Sequence, residues 1–239
     1  MENINIAEIK QKMFDKLEGS GWQPAFKHYI FSTEFVNTIL QLHKDSKEGK
    51  RFTPPLKNVF KAFEECPFDK LRVVIVGQDP YPQLGVADGI AFSCSNNDKP
   101  QPSLRYIFDE LKREFPMYRT NDLLYDPLDL KRWSNQGILM LNTALTCQIG
   151  KIGSHYDIWK TFTAHLLTYL NDNNTGIIYV FMGKKAEEWS DLIDEKFNYK
   201  FNVPHPASAA YKGGKWDSKN VFREVNKILY DNTKQQIIW

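Results

Sequence analysis

The chain contains 239 residues with a formal net charge of +2, and 14% of its residues are aromatic. This length is sufficient for one α/β domain with a substantial hydrophobic core, and the aromatic content argues against an intrinsically disordered protein. The small net charge neither requires nor excludes a nucleic-acid partner, so local charged patches would have to attract DNA or RNA.

The cysteines and the first residues indicate the cellular compartment. Cys66, Cys94 and Cys147 are odd in number and lack metal-ligand spacing, which is typical of a reducing environment. The chain begins without the basic and apolar segments of a secretion signal, and no apolar run approaches membrane-spanning length. We expect no membrane association and a cytoplasmic location, or a nuclear one for a eukaryotic or viral protein.

The N-terminal part, residues 1–50, is expected to be helical and to belong to a single domain spanning residues 1–239. Apolar residues recur at helical spacing over about 5–18, and the glycines at 19 and 21 end that helix. Ser32-Thr33 predicts the cap of a second helix, and apolar residues at 59–63 predict a third.

Four short apolar runs, separated by helical patterns, predict buried strands of a parallel sheet. These runs are Val73–Val76, Ile138–Leu141, Ile177–Met182 and Tyr199–Val203. Helices are expected at 103–112 with Ser103 as the N-cap, from Asp157 as a second N-cap to about 170, at 184–196 and at 218–231. The predicted fold is a three-layer α/β/α arrangement around a central four-stranded, mainly parallel sheet.

Polar side chains follow these strands. Asp79, Asn142, Lys184 and His205 come shortly after the four apolar runs, in that order. Ligands of open α/β sheets bind beyond the carboxyl ends of the strands, so the sequence predicts an active site at that edge. The long loop 77–102 also indicates function, since loops of this length are uncommon in compact domains.

Several of these segments also carry a recognisable pattern. They are Gly77-Gln78-Asp79-Pro80-Tyr81, Gly89-Ile90-Ala91-Phe92-Ser93, Pro100-Gln101-Pro102-Ser103-Leu104, the run 137–146, His205-Pro206-Ala207-Ser208 and Ile237-Ile238-Trp239. In order and spacing they resemble the signature of family 1 uracil-DNA glycosylases over roughly residues 50–239. The resemblance implies a DNA repair hydrolase that flips uracil out of DNA, hydrolyses the N-glycosidic bond and leaves an abasic site, without metal or organic cofactor.

The resemblance assigns catalysis to Asp79 and His205. Breaking the glycosidic bond develops positive charge on the sugar, which an ionised Asp79 would stabilise while orienting the attacking water. A neutral His205 would donate a hydrogen bond to O2 of the departing uracil. The structural alternatives are that Asp79 caps a turn and that His205 makes an ordinary loop hydrogen bond.

Base recognition is assigned to Gln78, Tyr81, Phe92 and Asn142. A fixed Asn142 amide matches the acceptor and donor of uracil and mismatches those of cytosine, where each unpaired buried group costs about 1–3 kcal/mol. Phe92 matches the stacking platform for the uracil ring. Tyr81 matches the ring that excludes the C5 methyl of thymine by its bulk, and Gln78 is expected to contact the base.

The resemblance also implies DNA-backbone contacts and partners. Backbone contacts are expected from Pro80, Ser103, Lys184, Pro206, Ala207 and Ser208. The expected partners are single- or double-stranded DNA containing uracil and protein inhibitors that mimic DNA, and the protein is expected to be a monomer.

The chain departs from the common family pattern in loops. Pro82 and Asp88 stand where histidines are common, and Lys184 replaces a serine. The family supplies a leucine after the last histidine to fill the gap left in the duplex, whereas this chain has Ala207-Ser208-Ala209-Ala210, with Tyr211 nearby. We therefore expect comparatively good handling of single-stranded uracil and salt-sensitive duplex binding.

Two rival hypotheses follow from the departures. The chain could be a DNA-binding replication-accessory protein on a glycosylase scaffold with reduced or altered catalysis, as Pro82 and the absent leucine suggest. It could instead act on mismatched thymine or damaged pyrimidines, which Tyr81 disfavours.

Overall fold

The structure, a computed structural model, describes residues 5–117, 128–211 and 213–239, with the Tyr211 side chain outside the described part. The α-helices are α1 (Ile6–Asp15), α2 (Gln23–Ile30), α3 (Thr33–Lys47), α4 (Lys61–Glu65), α5 (Pro102–Glu114), α6 (Lys131–Ser134), α7 (Tyr156–Asn173), α8 (Lys184–Glu187) and α9 (Val221–Asp231). The strands are β1 (Phe52–Thr53), β2 (Val73–Gly77), β3 (Ile138–Asn142), β4 (Cys147–Gln148), β5 (Ile178–Met182) and β6 (Tyr199–Val203).

The predicted four-stranded sheet is confirmed. Its strands are all parallel in the order β3-β2-β5-β6, and helices flank it. Every residue of the central strands β2 and β5 is buried, as expected for strands covered on both faces. A separate antiparallel pair, β1 with β4, places the segment after β4 beside residues 51–53.

The N-terminal helices pack on α7 through an aromatic cluster. Phe26 on α2 contacts Phe63 with ring centroids 4.7 Å apart and Phe162 of α7 at 5.4 Å. Trp22 packs edge-on against Phe63, with ring centroids 5.1 Å apart, and donates from Nε1 to the Cys66 carbonyl at 2.7 Å. Helix α2 is absent from the sequence-based prediction because Trp22, its N-cap, makes no side-chain capping bond.

Two predicted N-caps are each wrong by two residues. Helix α5 begins at Pro102 with Gln101 as its N-cap, so Ser103 lies in the first turn. Proline is favoured at this position because its absent N–H would have no helical partner there. Helix α7 has His155 as its N-cap, and Asp157 lies in the first turn instead.

Two other predicted helices are shorter than expected. Helix α8 ends at Glu187, because the Asp194 amide donates to the Asn171 side chain at 2.8 Å and the chain turns away toward β6. Helix α9 starts at Val221 rather than Ser218, since Lys219 and Asn220 both have φ of 58°, in the left-handed region that a right-handed helix excludes. The predicted Ser32 cap of α3 is confirmed by its acceptance of the Phe35 N–H at 3.3 Å. Within the described residues no helix is both long and apolar enough to cross a lipid bilayer.

Candidate active site

The carboxyl ends of the sheet strands open onto a cavity of about 150 Å³, a volume that accepts a benzene-sized ring in other proteins. The predicted site residues on its wall are Gln78, Asp79, Pro80, Tyr81, Phe92, Ser103, Asn142, His205 and Ala207. Lys184, Pro206 and Ser208 do not line it. The sheet therefore brings the predicted catalytic and base-binding side chains to one place.

Asp79 is held by one backbone amide. Its Oδ2 accepts a hydrogen bond of 2.6 Å from the N–H of Gly153, which lies between β4 and α7. Burial raises the pKa of Asp79, and the Gly153 bond opposes that rise. Gly153 is a functional residue that sequence reasoning missed, because a single backbone amide leaves no side-chain signature.

His205 follows β6 and is arranged to donate from Nε2. Its Nδ1 accepts the N–H of Ala207 at 3.2 Å, so the neutral ring carries its proton on Nε2. Burial lowers the pKa of His205 to about 4. The imidazole is therefore neutral at physiological pH, in the state that the sequence-based mechanism requires.

Asn142 and Phe92 lie side by side at the end of β2. Asn142 ends β3 and pairs in register with Gly77. A Cβ placed on Gly77 would lie 2.7 Å from Asn142 Oδ1 and 3.1 Å from the Phe92 ring. The Phe92 ring centroid lies 6.0 Å from that of His205. The amide, the aromatic ring and the imidazole thus line the same part of the cavity.

Asp88 fixes the backbone that presents Phe92. Phe92 has φ of 64°, in the left-handed region that bulky residues rarely adopt. The buried Asp88 carboxylate accepts from the Ile90 amide at 3.1 Å, from Ser93 Oγ at 2.6 Å, and from the Ser95 amide and hydroxyl at 3.1 and 2.8 Å. Asp88, noted in the sequence as a departure, therefore braces the loop.

Tyr81 and Gln78 are also anchored. The Tyr81 hydroxyl donates to the Phe92 carbonyl at 3.0 Å, which joins two walls of the cavity. The Gln78 carbonyl accepts from Thr143 Oγ1 at 2.7 Å, and its side-chain Oε1 accepts from the Tyr156 hydroxyl at 3.4 Å.

Residues 63–230 match the family model of the uracil DNA glycosylase superfamily. The uracil-DNA glycosylase of Yersinia pseudotuberculosis serotype O:3 (strain YPIII) is 32% identical over 206 residues, which cover 86% of this chain and 88% of that protein. This chain belongs to the uracil-DNA glycosylase superfamily. It is therefore a hydrolase of the class that acts on N-glycosidic bonds.

Solved structures agree with this membership. The crystal structure of mimivirus uracil-DNA glycosylase superposes with a TM-score of 0.82 at 27% identity, covering 99% of this chain and 89% of the viral chain. A variant of the mimivirus enzyme in complex with UGI superposes with a TM-score of 0.80 at 28% identity, covering 92% and 87%.

The remaining predicted positions lie in α5, in α8 and in the turn after His205. Ser103 lies buried in the first turn of α5, and Lys184 is the exposed first residue of α8. Pro206 is buried, and the Ser208 amide donates to the His205 carbonyl at 2.9 Å. Ala209, within the Ala207–Ala210 segment that stands in place of the family's leucine, is fully buried.

One exposed apolar residue on the cavity wall was not predicted. Ile152 is 68% exposed and precedes Gly153 on the loop that holds Asp79. The same loop is tied to Pro82, whose carbonyl accepts the Gly150 N–H at 2.9 Å. Among residues 5–117, 128–211 and 213–239, no group of three or more His, Cys, Asp and Glu side chains could hold a metal ion.

Proposed function

We propose that this protein is a family 1 uracil-DNA glycosylase that flips uracil out of single- or double-stranded DNA and hydrolyses its N-glycosidic bond, releasing free uracil. The single observation that carries the proposal is the convergence of Asp79, Asn142 and His205 on one cavity beyond the carboxyl ends of the strands. Extruding a base costs a few kcal/mol, which a pocket shaped for that base can offset.

In this mechanism the pocket selects uracil by its edge and its C5 position. The Asn142 amide pairs with O4 and N3 of the base, and the Phe92 ring lies against its face. Gly77 leaves room for both groups, because any side chain there would displace them. Tyr81 occupies the space that the C5 methyl of thymine would need.

Cleavage develops charges of opposite sign on the two fragments, the base and the sugar. As the bond lengthens, negative charge develops on the uracil oxygens, and His205 Nε2–H donates to O2. Positive charge develops on the sugar, and the Asp79 carboxylate stabilises it and orients the attacking water. The Gly153 amide favours the ionised form of Asp79 and so opposes the effect of burial.

DNA-backbone binding is proposed for the six residues predicted from the sequence. Pro80, Ser103 and Ala207 lie on the cavity wall, and Lys184, Pro206 and Ser208 lie outside it. Hydroxyls, backbone amides and lysines are the usual partners of phosphate oxygens. The same face is proposed to bind protein inhibitors that mimic DNA, in line with the mimivirus variant solved with UGI.

The deciding experiment is excision from an oligonucleotide bearing one uracil, followed by alkaline cleavage at the abasic site. The wild-type protein should cut the uracil strand and leave matched strands containing thymine or cytosine intact. Asp79→Asn, which keeps the size and the Gly153 contact of the side chain, is the matched control and should be nearly inactive. Binding of uracil DNA without excision by the wild type would instead favour a DNA-binding accessory role.

A further inference from the structure

A buried histidine outside the cavity lies two residues after the amide that holds Asp79. His155 is 2% exposed and is the N-cap of α7. Its Nδ1 lies 2.8 Å from Thr146 Oγ1, and its Nε2 lies 3.6 Å from Asp45 Oδ2. Neither His155 nor Asp45 touches the cavity, and the excision mechanism gives neither a role.

The donors and acceptors around His155 determine its tautomer. Trp159 Nε1 can only donate, and it donates to Thr146 Oγ1 at 2.7 Å. The Asp45 carboxylate, which can only accept, faces Nε2 and favours the tautomer with the ring proton there, so that Thr146 donates its hydroxyl proton to His155 Nδ1. Burial lowers the pKa of His155 and the Asp45 charge opposes this, so the ring is neutral with an oriented N–H.

Asp45 is anchored on α3 and is itself nearly buried. Its Oδ1 accepts from Gln41 Nε2 at 3.1 Å, and Lys50 Nζ lies 3.5 Å away on the solvent side. The polar depression around the pair is also lined by the charged residues Glu34, Lys151 and Asp157. Asp45 of helix α3 therefore faces the His155 ring at the start of α7, at 3.6 Å, a polar contact longer than a direct hydrogen bond.

The loop between β4 and α7 is short and held at both ends. The Gln148 amide of β4 donates to Ser154 Oγ at 2.7 Å, and His155 fixes the residue that follows. Gly153 lies between them with φ of 75°, and its N–H donates to Asp79. A change at His155 would therefore shift the amide that faces the carboxylate.

We propose that Asp45 and His155 are positioning residues for uracil excision, holding the 149–155 loop so that the Gly153 amide stays on Asp79. The proposal rests on the proposed function. It makes the N-terminal helical part a determinant of the state of the carboxylate, although none of its described residues, 5–50, lines the cavity.

The proposal predicts a change in the Asp79 pKa, which general destabilisation of the fold would not produce. Asp79 faces the Gly153 amide, the Cys147 thiol and the Tyr156 hydroxyl, and burial raises the pKa of Cys147 to about 12 and also raises that of Tyr156. The last two groups therefore stay neutral across the working range. If the Gly153 bond loosens, burial acts unopposed and the pKa of Asp79 rises further.

The test compares the Asp79 pKa, followed by carboxyl ¹³C NMR, and the pH profile of single-turnover excision in three variants. Asp45→Asn keeps the shape of the side chain, and His155→Ala removes the imidazole. Both should raise the Asp79 pKa and the acid limb of the excision profile by about one pH unit. Below that limb, excision should fall about ten-fold, as a shift of one pH unit implies, whereas inhibition by free uracil should not change, since Asn142 and Phe92 are held elsewhere.

The matched control is His165→Ala, which removes a half-buried α7 imidazole that bonds the Ala25 carbonyl of α2 at 2.9 Å, away from the loop. It should lower the melting temperature and leave the Asp79 pKa unchanged. An unchanged Asp79 pKa in Asp45→Asn and His155→Ala, or an equal rise in His165→Ala, would overturn the proposal. Because the NMR titration needs no turnover, it decides this point even if the wild type fails to excise uracil.

Discussion

Gly77 and Asn142 lie opposite each other in the parallel register of β2 and β3, so closely that a Cβ on Gly77 would come within 2.7 Å of Asn142 Oδ1. The same Cβ would lie 3.1 Å from two ring carbons of Phe92. The amide and the ring that we propose to bind the base therefore share one neighbouring backbone position, which must lack a side chain.

We expect Gly77→Ala to damage base binding more than folding. The added methyl has to displace the Asn142 amide or the Phe92 ring, so the KM for uracil DNA and the inhibition constant of free uracil should both rise at least about ten-fold. Steady-state kinetics and thermal unfolding measure the two effects. Wild-type affinity for free uracil in this variant would contradict the assigned role of Asn142.

Asp79→Asn should lower excision by roughly two to four orders of magnitude and raise stability at neutral pH. Because the folded-state pKa of Asp79 lies above its ordinary value, the folded protein favours the protonated carboxyl, and that contribution is lost as pH rises through the folded pKa. The neutral amide avoids this loss. Thermal unfolding at pH 7 and pH 4 should show the advantage of the variant shrinking toward acid, and a less stable variant at pH 7 would contradict the expectation.

His205 should remain neutral down to about pH 4, and ¹⁵N NMR of the imidazole should show the proton on Nε2. Since the folded-state pKa lies below the ordinary 6.5, this group contributes stability above pH 6.5 that is lost as pH falls toward 4. His205→Gln should lack this acid-dependent loss and should excise uracil about 100-fold more slowly. A ring that titrates near 6.5 would refute the neutral donor.

Tyr81→Ala should gain excision of thymine, because the ring that blocks the C5 methyl is removed. Tyr81→Phe is the matched control, since it loses only the hydroxyl bond to the Phe92 carbonyl and keeps the ring. Excision assays on thymine mismatches, run beside uracil substrates, separate the two variants. Thymine activity in both variants, or in neither, would mean that the ring does not set this selectivity.

The ratio of duplex to single-stranded uracil excision should be lower than it would be with a large apolar wedge. The reason is that Ala209 is fully buried and too small to fill the gap in the base stack. Binding to the duplex should then depend on charge and weaken steeply with salt. Excision of both substrates at two salt concentrations measures this. A strong duplex preference that is insensitive to salt would contradict it.

The sequence predicts the sheet well because its strands are buried on both faces, so their apolar runs are continuous. Asp79, Asn142 and His205 could be placed together for the same reason, since parallel strands deliver their ends to one edge. Helix α2 escaped prediction because Trp22 gives no capping signal. The Gly153 amide and the bracing role of Asp88 escaped because both depend on backbone groups that loops bring together.

The departures from the family pattern (Pro82, Asp88, Lys184 and the Ala207–Ala210 segment) lie beyond the ends of the sheet strands, and two of these connections also carry Asp79, Phe92 and His205. Bond cleavage and DNA handling therefore share parts of the molecule. A chimera that swaps a whole connection between relatives would exchange catalytic side chains together with the departing positions, so single substitutions are needed to vary DNA handling while the reaction chemistry is inherited intact.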